Sequence, residues 1–527
     1  MITISLAASH SAMTAVPHSA ASPPFLTTGQ TFLLIYAIPT GVVLASVIQR
    51  RARFKRYLTV PFDGVLVLIV AGIPTGLLSL LVPDWLAVTL GIAFGLFFAY
   101  SLGQVDPGAL TEPPRRLRGA IIQAHTASRR EQRTSSSNDH LTLAGVPVAP
   151  LDETKHFKLI GTTGTGKSTA IRELLQGALR RGDRAVIADP DAGYLKRYYD
   201  PNRGDLILNP FDPRSVKWDL FAEIKNPYDF EQLARSLIPD GAGEDRVFRQ
   251  FAQVFLAEVL RQAHRAGVRD SAESYRLLAS APLEELRLLL EGTPAQPFVA
   301  AGNDKMFGSI RSVTTSAVAP LSYINTQRTP LFSLRRWVNE GRGVLFLTYQ
   351  ADQIAALHSV ISTWVRIAIF ETMTLAEGDT RLWFIVDELD ALGPIDGLKD
   401  ALPRLRKFGG RCVLGFQSIA QVSGTYGRGE GETIVENCGN TLILRCSASE
   451  GGGTARFASK LIGEREIIRE NVSRSYHPRE WRATKTTSQH HVTESAVLAS
   501  EIEQLPDLQG YLKVASQPRW LRVQLHR

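Results

Sequence analysis

Cysteine is scarce in this chain. Cys412, Cys438 and Cys446 are the only three in 527 residues, and none stands at a metal-ligand spacing. That argues against a disulfide framework and a cysteine metal site, and leaves reduced thiols serving as small core residues. Lysine and arginine are missing altogether from residues 1–30, so this stretch lacks the charged start of a cleaved signal peptide. Charge nearly vanishes again from Phe62 to Tyr100, where Asp63 and Asp84 are the only charged residues.

Those uncharged runs read as membrane spans. Residues 31–48 form one apolar stretch near spanning length. The stretch from Phe62 to Tyr100 as one helix would be ~60 Å long, about twice the hydrocarbon core. Val82-Pro83-Asp84-Trp85 is a natural turn within it, with Trp85 suited to the interface. Three spans are expected, near 31–49, 62–82 and 85–102; two spans with one segment packed at the surface is the competing count. Arg50 to Arg56 and Arg115 to Arg133 flank the spans and place both flanks in the cytoplasm. The formal charge of +8 divides unevenly. Residues 1–133 carry eleven Lys/Arg against five acids, so the remaining residues hold little net charge. The basicity therefore reports the membrane flanks and is no evidence for a basic nucleic-acid surface elsewhere.

What is present is a phosphate loop. Gly161-Thr162-Thr163-Gly164-Thr165-Gly166-Lys167-Ser168 follows the apolar run Phe157 to Ile160 and precedes a helical pattern, Ser168 to Leu179. Its glycines let backbone N–H groups turn inward around a phosphate. Lys167 can reach the β- and γ-phosphates and Ser168 can ligate Mg²⁺, with Thr169 completing the ATP-contacting set. Arg184 to Asp189 then reads as a short buried strand, which makes the fold class α/β with a parallel sheet.

The second half of the site stands near 382. Leu382 to Val386 is an uninterrupted apolar run that delivers Asp387 and Glu388 to the ligand-binding edge of such a sheet. Asp387 suits Mg²⁺ held through water, and Glu388 suits the proton of an attacking water. The next strand, Cys412 to Phe416, ends in Gln417, which could orient that water or sense the γ-phosphate, or simply be a polar strand end. The basic stretch Leu402 to Phe408 either complements a helix dipole or supplies an arginine finger to a neighbouring subunit. Arg406 is the first choice, then Arg404, Arg411 and Arg445. Between the two halves, about residues 225–325, the periodicity is helical throughout. Asp245 to His264 is the clearest case, with Val247, Phe251, Val254, Phe255 and Val259 on one face.

These residues, with Asp189-Pro-Asp-Ala-Gly193, Leu208-Asn-Pro-Phe-Asp212 and Leu505-Pro-Asp-Leu-Gln-Gly510, give the chain its resemblance. It resembles type IV secretion coupling proteins of the TraD/TrwB kind, the membrane-anchored ATPases of bacterial conjugation. The resemblance implies a RecA-like P-loop NTPase domain with an all-α insertion domain, preceded by transmembrane helices. It also implies homo-hexameric rings, DNA-stimulated hydrolysis of ATP with Mg²⁺, and a multi-pass inner-membrane location with a large cytoplasmic domain. The implied partners are single- and double-stranded DNA, a relaxase complex and type IV secretion channel components. Lys167, Asp387, Glu388, Gln417 and Arg406 take the roles given above. The departure from the family is at the N-terminus, where many members have two spans around a larger periplasmic loop.

The expected organisation is a membrane anchor at 1–105 and a juxtamembrane linker at 106–140. A RecA-like domain follows at 141–224 and 326–527, with the all-α domain at 225–325. Two other functions use the same parts: an FtsK-like chromosome translocase, and an ATP-switched receptor for secreted protein effectors. The region from Glu470 to Thr493 carries no readable motif, and His490 and His491 are expected to be solvent-exposed.

Overall fold

A computed structural model describes residues 115–125, 141–241, 245–378, 380–449, 452–475 and 484–526. The three expected spans, and the linker apart from 115–125, lie outside those residues. Short apolar runs build one large sheet. Its strands, numbered in chain order, are β1 Ile122–Ala124, β2 Phe157–Ile160, β3 Arg184–Pro190, β4 Leu206–Ile207 and β5 Val344–Tyr349. The second half comprises β6 Leu382–Val386, β7 Gly410–Phe416, β8 Asn440–Ile443, β9 Gln509–Lys513 and β10 Trp520–Gln524. In space the order is β1-β10-β9-β8-β2-β7-β6-β3-β5-β4. From β8 to β4 every pairing is parallel. β9 and β10 extend the sheet antiparallel, and β1 joins β10 in parallel.

Both faces are covered, which is why the central strands read as unbroken apolar runs. Alternate residues feed two cores, as the strand period of two requires. In β6, Trp383 and Ile385 enter one core while Leu382, Phe384 and Val386 enter the other. The first core is closed by helix Lys167–Arg180, through Ile171, Leu174 and Leu175, and by the hairpin of Leu141–Leu143 and Val146–Val148. The second is closed by helix Ile354–Thr372, whose Trp364 meets Trp218 edge-on at 5.8 Å. Among the described residues this helix is the one long and apolar enough to cross a membrane, and most of its apolar side chains are buried here within the protein. Cys412, Cys438 and Cys446 are free and buried in the same core.

Between β4 and β5 the long helices are Asp229–Leu237, Asp245–Arg265, Ser271–Ala279 and Asp304–Val318. Their core does not stand apart. Phe255 and Leu256 belong to the same continuous cluster as Val186, Leu345 and Phe384 of the sheet. Helix Asp245–Arg265 also presents a different stripe from the expected one. Phe255 and Val259 are buried together with Ala252, Leu256, Leu260 and Ala263, while Val247 is 50% exposed. The alanines shift the buried stripe, because a close helix contact favours small side chains that carry little weight in a hydrophobic pattern.

The region expected to carry no motif contains strands. Glu464–Ser475 and Thr484–Ser495 form a three-stranded sheet with Arg115–Gly119, where Arg115 stands opposite Ile468. His490 and His491 are exposed, and His491 Nδ1 lies 3.2 Å from Glu466 Oε1.

One fallback candidate for a finger is overturned by its surroundings. Arg411 is 1% exposed, bonds Glu153 at 2.8 Å and lies over the Trp383 ring. Arg181 clamps the same Glu153 at 2.9 and 2.8 Å and also pairs with Asp183, which accepts the Trp383 indole N–H. This buried network ties the starts of β3, β6 and β7 together, so Arg411 has no reach to a neighbour. Arg411→Ala leaves Glu153 a buried charge short of one partner, and should destabilise the fold by about 3–5 kcal/mol. Denaturant melts check this; wild-type stability with a selective loss of activity would contradict it.

Candidate functional site

In the parallel part of the sheet, the C-terminal ends of β2, β3, β6 and β7 open on one edge, and the candidate residues converge there. β2 runs into the loop Gly161–Gly166 and then into helix Lys167–Arg180. Gly166 has φ +119°, and a Cβ on it would stand 2.9 Å from Leu508 Cδ2. The positive φ is what requires glycine there, since the Leu508 methyl could shift. Thr165 Oγ1 donates to Thr162 O at 2.7 Å, and Thr162 N donates to Arg445 O at 2.9 Å, so these two residues hold the loop in shape. Lys167 is buried, and its Nζ donates to Gly161 O at 2.5 Å. Burial pushes its pKa down, opposed by the nearby carboxylates of Asp387 and Glu388.

β6 delivers the acids. Asp387 Oδ2 accepts from Ser168 Oγ at 2.7 Å and from the Tyr194 hydroxyl at 2.8 Å. β7 lies between β2 and β6, so Gln417 at its end stands between the loop and the acids. Its Nε2 donates to Glu388 Oε1 and its Oε1 accepts from Thr163 Oγ1 at 2.9 Å. Burial raises the Glu388 pKa; the Gln417 hydrogen bond opposes this, and the charges of Asp390 and Asp387 reinforce it. Gly415 is needed in β7, because a Cβ there would stand 2.3 Å from Asp387 O.

A cavity of about 350 Å³ opens among these groups, lined by Thr163, Gly164, Gly166, Lys167, Ser168 and Thr169 on one side. Tyr194, Asp387, Glu388, Gln417, Arg172 and Leu508 form the rest of its lining. The residues fit a phosphate chain with Mg²⁺. The glycine cradle admits backbone N–H donors at a helix start, and a hydroxyl beside a carboxylate is a hard-oxygen donor set. Among the described residues no group of three or more His, Cys, Asp or Glu could hold a metal on its own, so such an ion would also need ligand oxygens from the phosphates and water.

Arg406 does not join this cluster within its own chain. It is exposed in the turn Arg406–Phe408 that precedes β7, at the opposite edge of the sheet. Strand rise alone puts it about 20 Å from Gln417. Arg404 is exposed beside it, while Arg445 sits next to the loop and pairs with Asp507 at 2.7 Å.

Two contributions escaped sequence reasoning. Tyr194 was not singled out in the sequence, yet its hydroxyl meets Asp387. Leu508, with φ +65°, closes the cavity from the C-terminal strands, and its N–H donates to Thr165 O at 2.9 Å. The signal for Tyr194 was Asp189, the acid at the end of β3. Its carboxylate accepts the backbone N–H groups of Tyr194 at 3.0 Å and Leu195 at 2.7 Å, and so folds the turn that aims the ring.

A family described as "Type IV secretion-system coupling protein DNA-binding domain" matches residues 140–526. The coupling protein TraD of Escherichia coli strain K12 is 33% identical over 380 residues, covering 71% of this chain and 52% of TraD. The chain thus spans about half the length of the curated relatives it matches. Among solved structures, the bacterial conjugative coupling protein TrwBdeltaN70, unbound, superposes with a TM-score of 0.69 at 32% identity, covering 80% of this chain and 95% of that one. TrwB has also been solved with ADP and Mg²⁺; that form has a TM-score of 0.69 at 32% identity and covers 79% and 95% of the two chains. The likeness shows the RecA-like α/β fold with its all-α portion.

The buried Asp189 generates a pH signature. Burial raises its carboxyl from 3.8 to about 6, partly opposed by the backbone N–H groups it accepts. A raised folded pKa means the native state binds this proton more tightly than the unfolded chain, so the stability it lends at low pH is lost as pH rises from about 4 to 6. Measured against Asp189→Asn, the wild type should lose about 3 kcal/mol over that interval and hold a constant offset above it. Denaturant melts at stepped pH read this directly. An offset that is already constant from pH 4 upward contradicts the assignment.

Proposed function

The chain belongs to the type IV secretion-system coupling proteins, and from that premise we propose that it is an inner-membrane ATPase of conjugation. It couples a relaxase–DNA complex to a type IV secretion channel and drives the DNA through. The observation that carries the hydrolytic part is the convergence of Lys167, Ser168, Asp387, Glu388 and Gln417 on one sheet edge. The coupling part rests on the family. Relatives named for coupling and conjugal transfer favour it over a chromosome translocase or an effector receptor.

In this reading the N–H groups at the start of helix Lys167–Arg180 bind the phosphates of ATP. Lys167 leaves the Gly161 carbonyl for the β/γ-phosphate oxygens. Ser168 contributes its hydroxyl oxygen to Mg²⁺ while still donating to Asp387. Mg²⁺, which Ser168 and, through water, Asp387 would hold, would supply positive charge to offset the negative charge that develops in the transition state. Glu388 takes the proton of the attacking water, a task its raised pKa favours, and the products are ADP and inorganic phosphate. Gln417, already bonded to Glu388, orients that water. Arg406 lies on the far edge of the sheet, a position that suits action on a neighbour's nucleotide in a homo-hexameric ring. The RecA-like part comprises 141–224 and 326–527, and 225–325 forms the all-α part that meets substrate. Residues 1–105 anchor the chain in the membrane through spans near 31–49, 62–82 and 85–102, joined by the linker 106–140.

Three measurements follow. Steady-state ATP hydrolysis by assembled hexamers should rise when single-stranded DNA is added; an unchanged rate overturns the motor reading. Glu388→Gln should bind ATP with near wild-type affinity yet hydrolyse it ~10²–10⁴ times more slowly. Loss of binding instead would make the acid structural. In mixed rings, a subunit carrying Arg406→Ala should silence its neighbour's site and spare its own. Equal loss in isolated monomers would assign Arg406 to the helix end alone.

A further inference from the structure

The turn from Pro190 to Tyr194 is built at some cost, and it serves one side chain. Asp191 and Ala192 both adopt left-handed backbone, with φ +58° and +55°. Successive non-glycine residues hold that conformation only where their surroundings over-determine it. Two anchors do so here. Asp191 N donates to Tyr349 O at 2.8 Å, and the Asp189 carboxylate caps the N–H groups of Tyr194 and Leu195. The result is a tyrosine only 2% exposed, with Arg172 5.9 Å from its ring centroid on one side and its hydroxyl pointed at Asp387.

That hydroxyl meets Oδ2, the same oxygen that accepts from Ser168 Oγ. A carboxylate oxygen with two short donors is saturated, so the carboxylate is fixed in rotation and Oδ1 is left for other partners. Ser168 supplies one donor from the phosphate loop and Tyr194 the other from the turn after β3, and both meet the same Asp387 oxygen.

We propose that Tyr194 is a positioning residue for the Mg²⁺ site. By pinning Asp387 Oδ2 together with Ser168, it presents Oδ1 to the water shell of the metal. A shell-orienting partner of this kind does not touch phosphate or metal itself; its loss typically lowers metal affinity by roughly ten- to a hundredfold. Tyr194 thereby links the fold of the β3 turn, through Asp189, to the strength with which the site holds metal-bound nucleotide.

The inference rests on the nucleotide and Mg²⁺ reading above, and binding data separate the two. The affinity of the full chain for a fluorescent ATP analogue is measured in excess Mg²⁺ and in EDTA, for wild type and for Tyr194→Phe, which keeps the ring and its packing. Wild type should bind more tightly with Mg²⁺; if it does not, the metal reading itself fails. Given that linkage, Tyr194→Phe should keep the wild-type affinity in EDTA and lose on the order of tenfold of the gain that Mg²⁺ confers. A gain equal to wild type overturns the proposal. So does a parallel loss with and without Mg²⁺, which would reduce Tyr194 to packing.

Discussion

The two halves of this site meet in the hydrogen bond from Ser168 Oγ to Asp387 Oδ2, across 219 residues of sequence. It can form because β2 and β6 run parallel and end on the same edge with β7 between them. Parallel order has a second consequence. The strand between the phosphate loop and the acids must end between them too, and that is where Gln417 bridges Thr163 and Glu388. The site is therefore a property of strand order. The helical segment of residues 229–326 is tolerated between its halves because it buries its apolar face against the sheet and leaves this edge open.

The two edges of the sheet divide the electrostatic work. At the far edge, Glu153, Arg181, Asp183 and Arg411 form a closed network, in which each buried charge meets an opposite one at short range. At the near edge the charges are less well matched. Lys167 is buried against carbonyl oxygens, and Glu388 and Asp390 are both raised by burial. An edge in that state gains from a polyanion accompanied by a divalent cation, which supplies the partners its own groups lack. Stability and function are thus located at opposite ends of the same strands.

Much of the site was legible in the sequence, because its main parts are contiguous. A glycine loop after an apolar run, and an apolar run ending in Asp387-Glu388, each carry their own local pattern. What escaped depends on contacts distant in sequence. Tyr194 acquires its role only when Asp189 folds the turn behind it, and Leu508 only when β9 and β10 close on the loop. Arg411 resembled Arg406 in sequence, being basic and near a helix end. Arg411 lies inside β7 beside Glu153, and Arg406, five residues earlier, stands in solvent. The strands Glu464–Ser475 and Thr484–Ser495 were missed because charged and polar residues dominate their sequences, which obscures the alternation by which a half-buried strand is recognised.

The central claim is that this edge is a nucleotide site in which Lys167 rests on the loop's own carbonyl until a phosphate replaces it. A structure of the protein with Mg²⁺ and a non-hydrolysable ATP analogue tests it most directly. Lys167 Nζ should be released from Gly161 O and bonded to phosphate oxygen, with Ser168 Oγ on the metal and Asp387 directly behind it. Nucleotide bound elsewhere, or Lys167 still on Gly161 O with phosphate in the cavity, would contradict it.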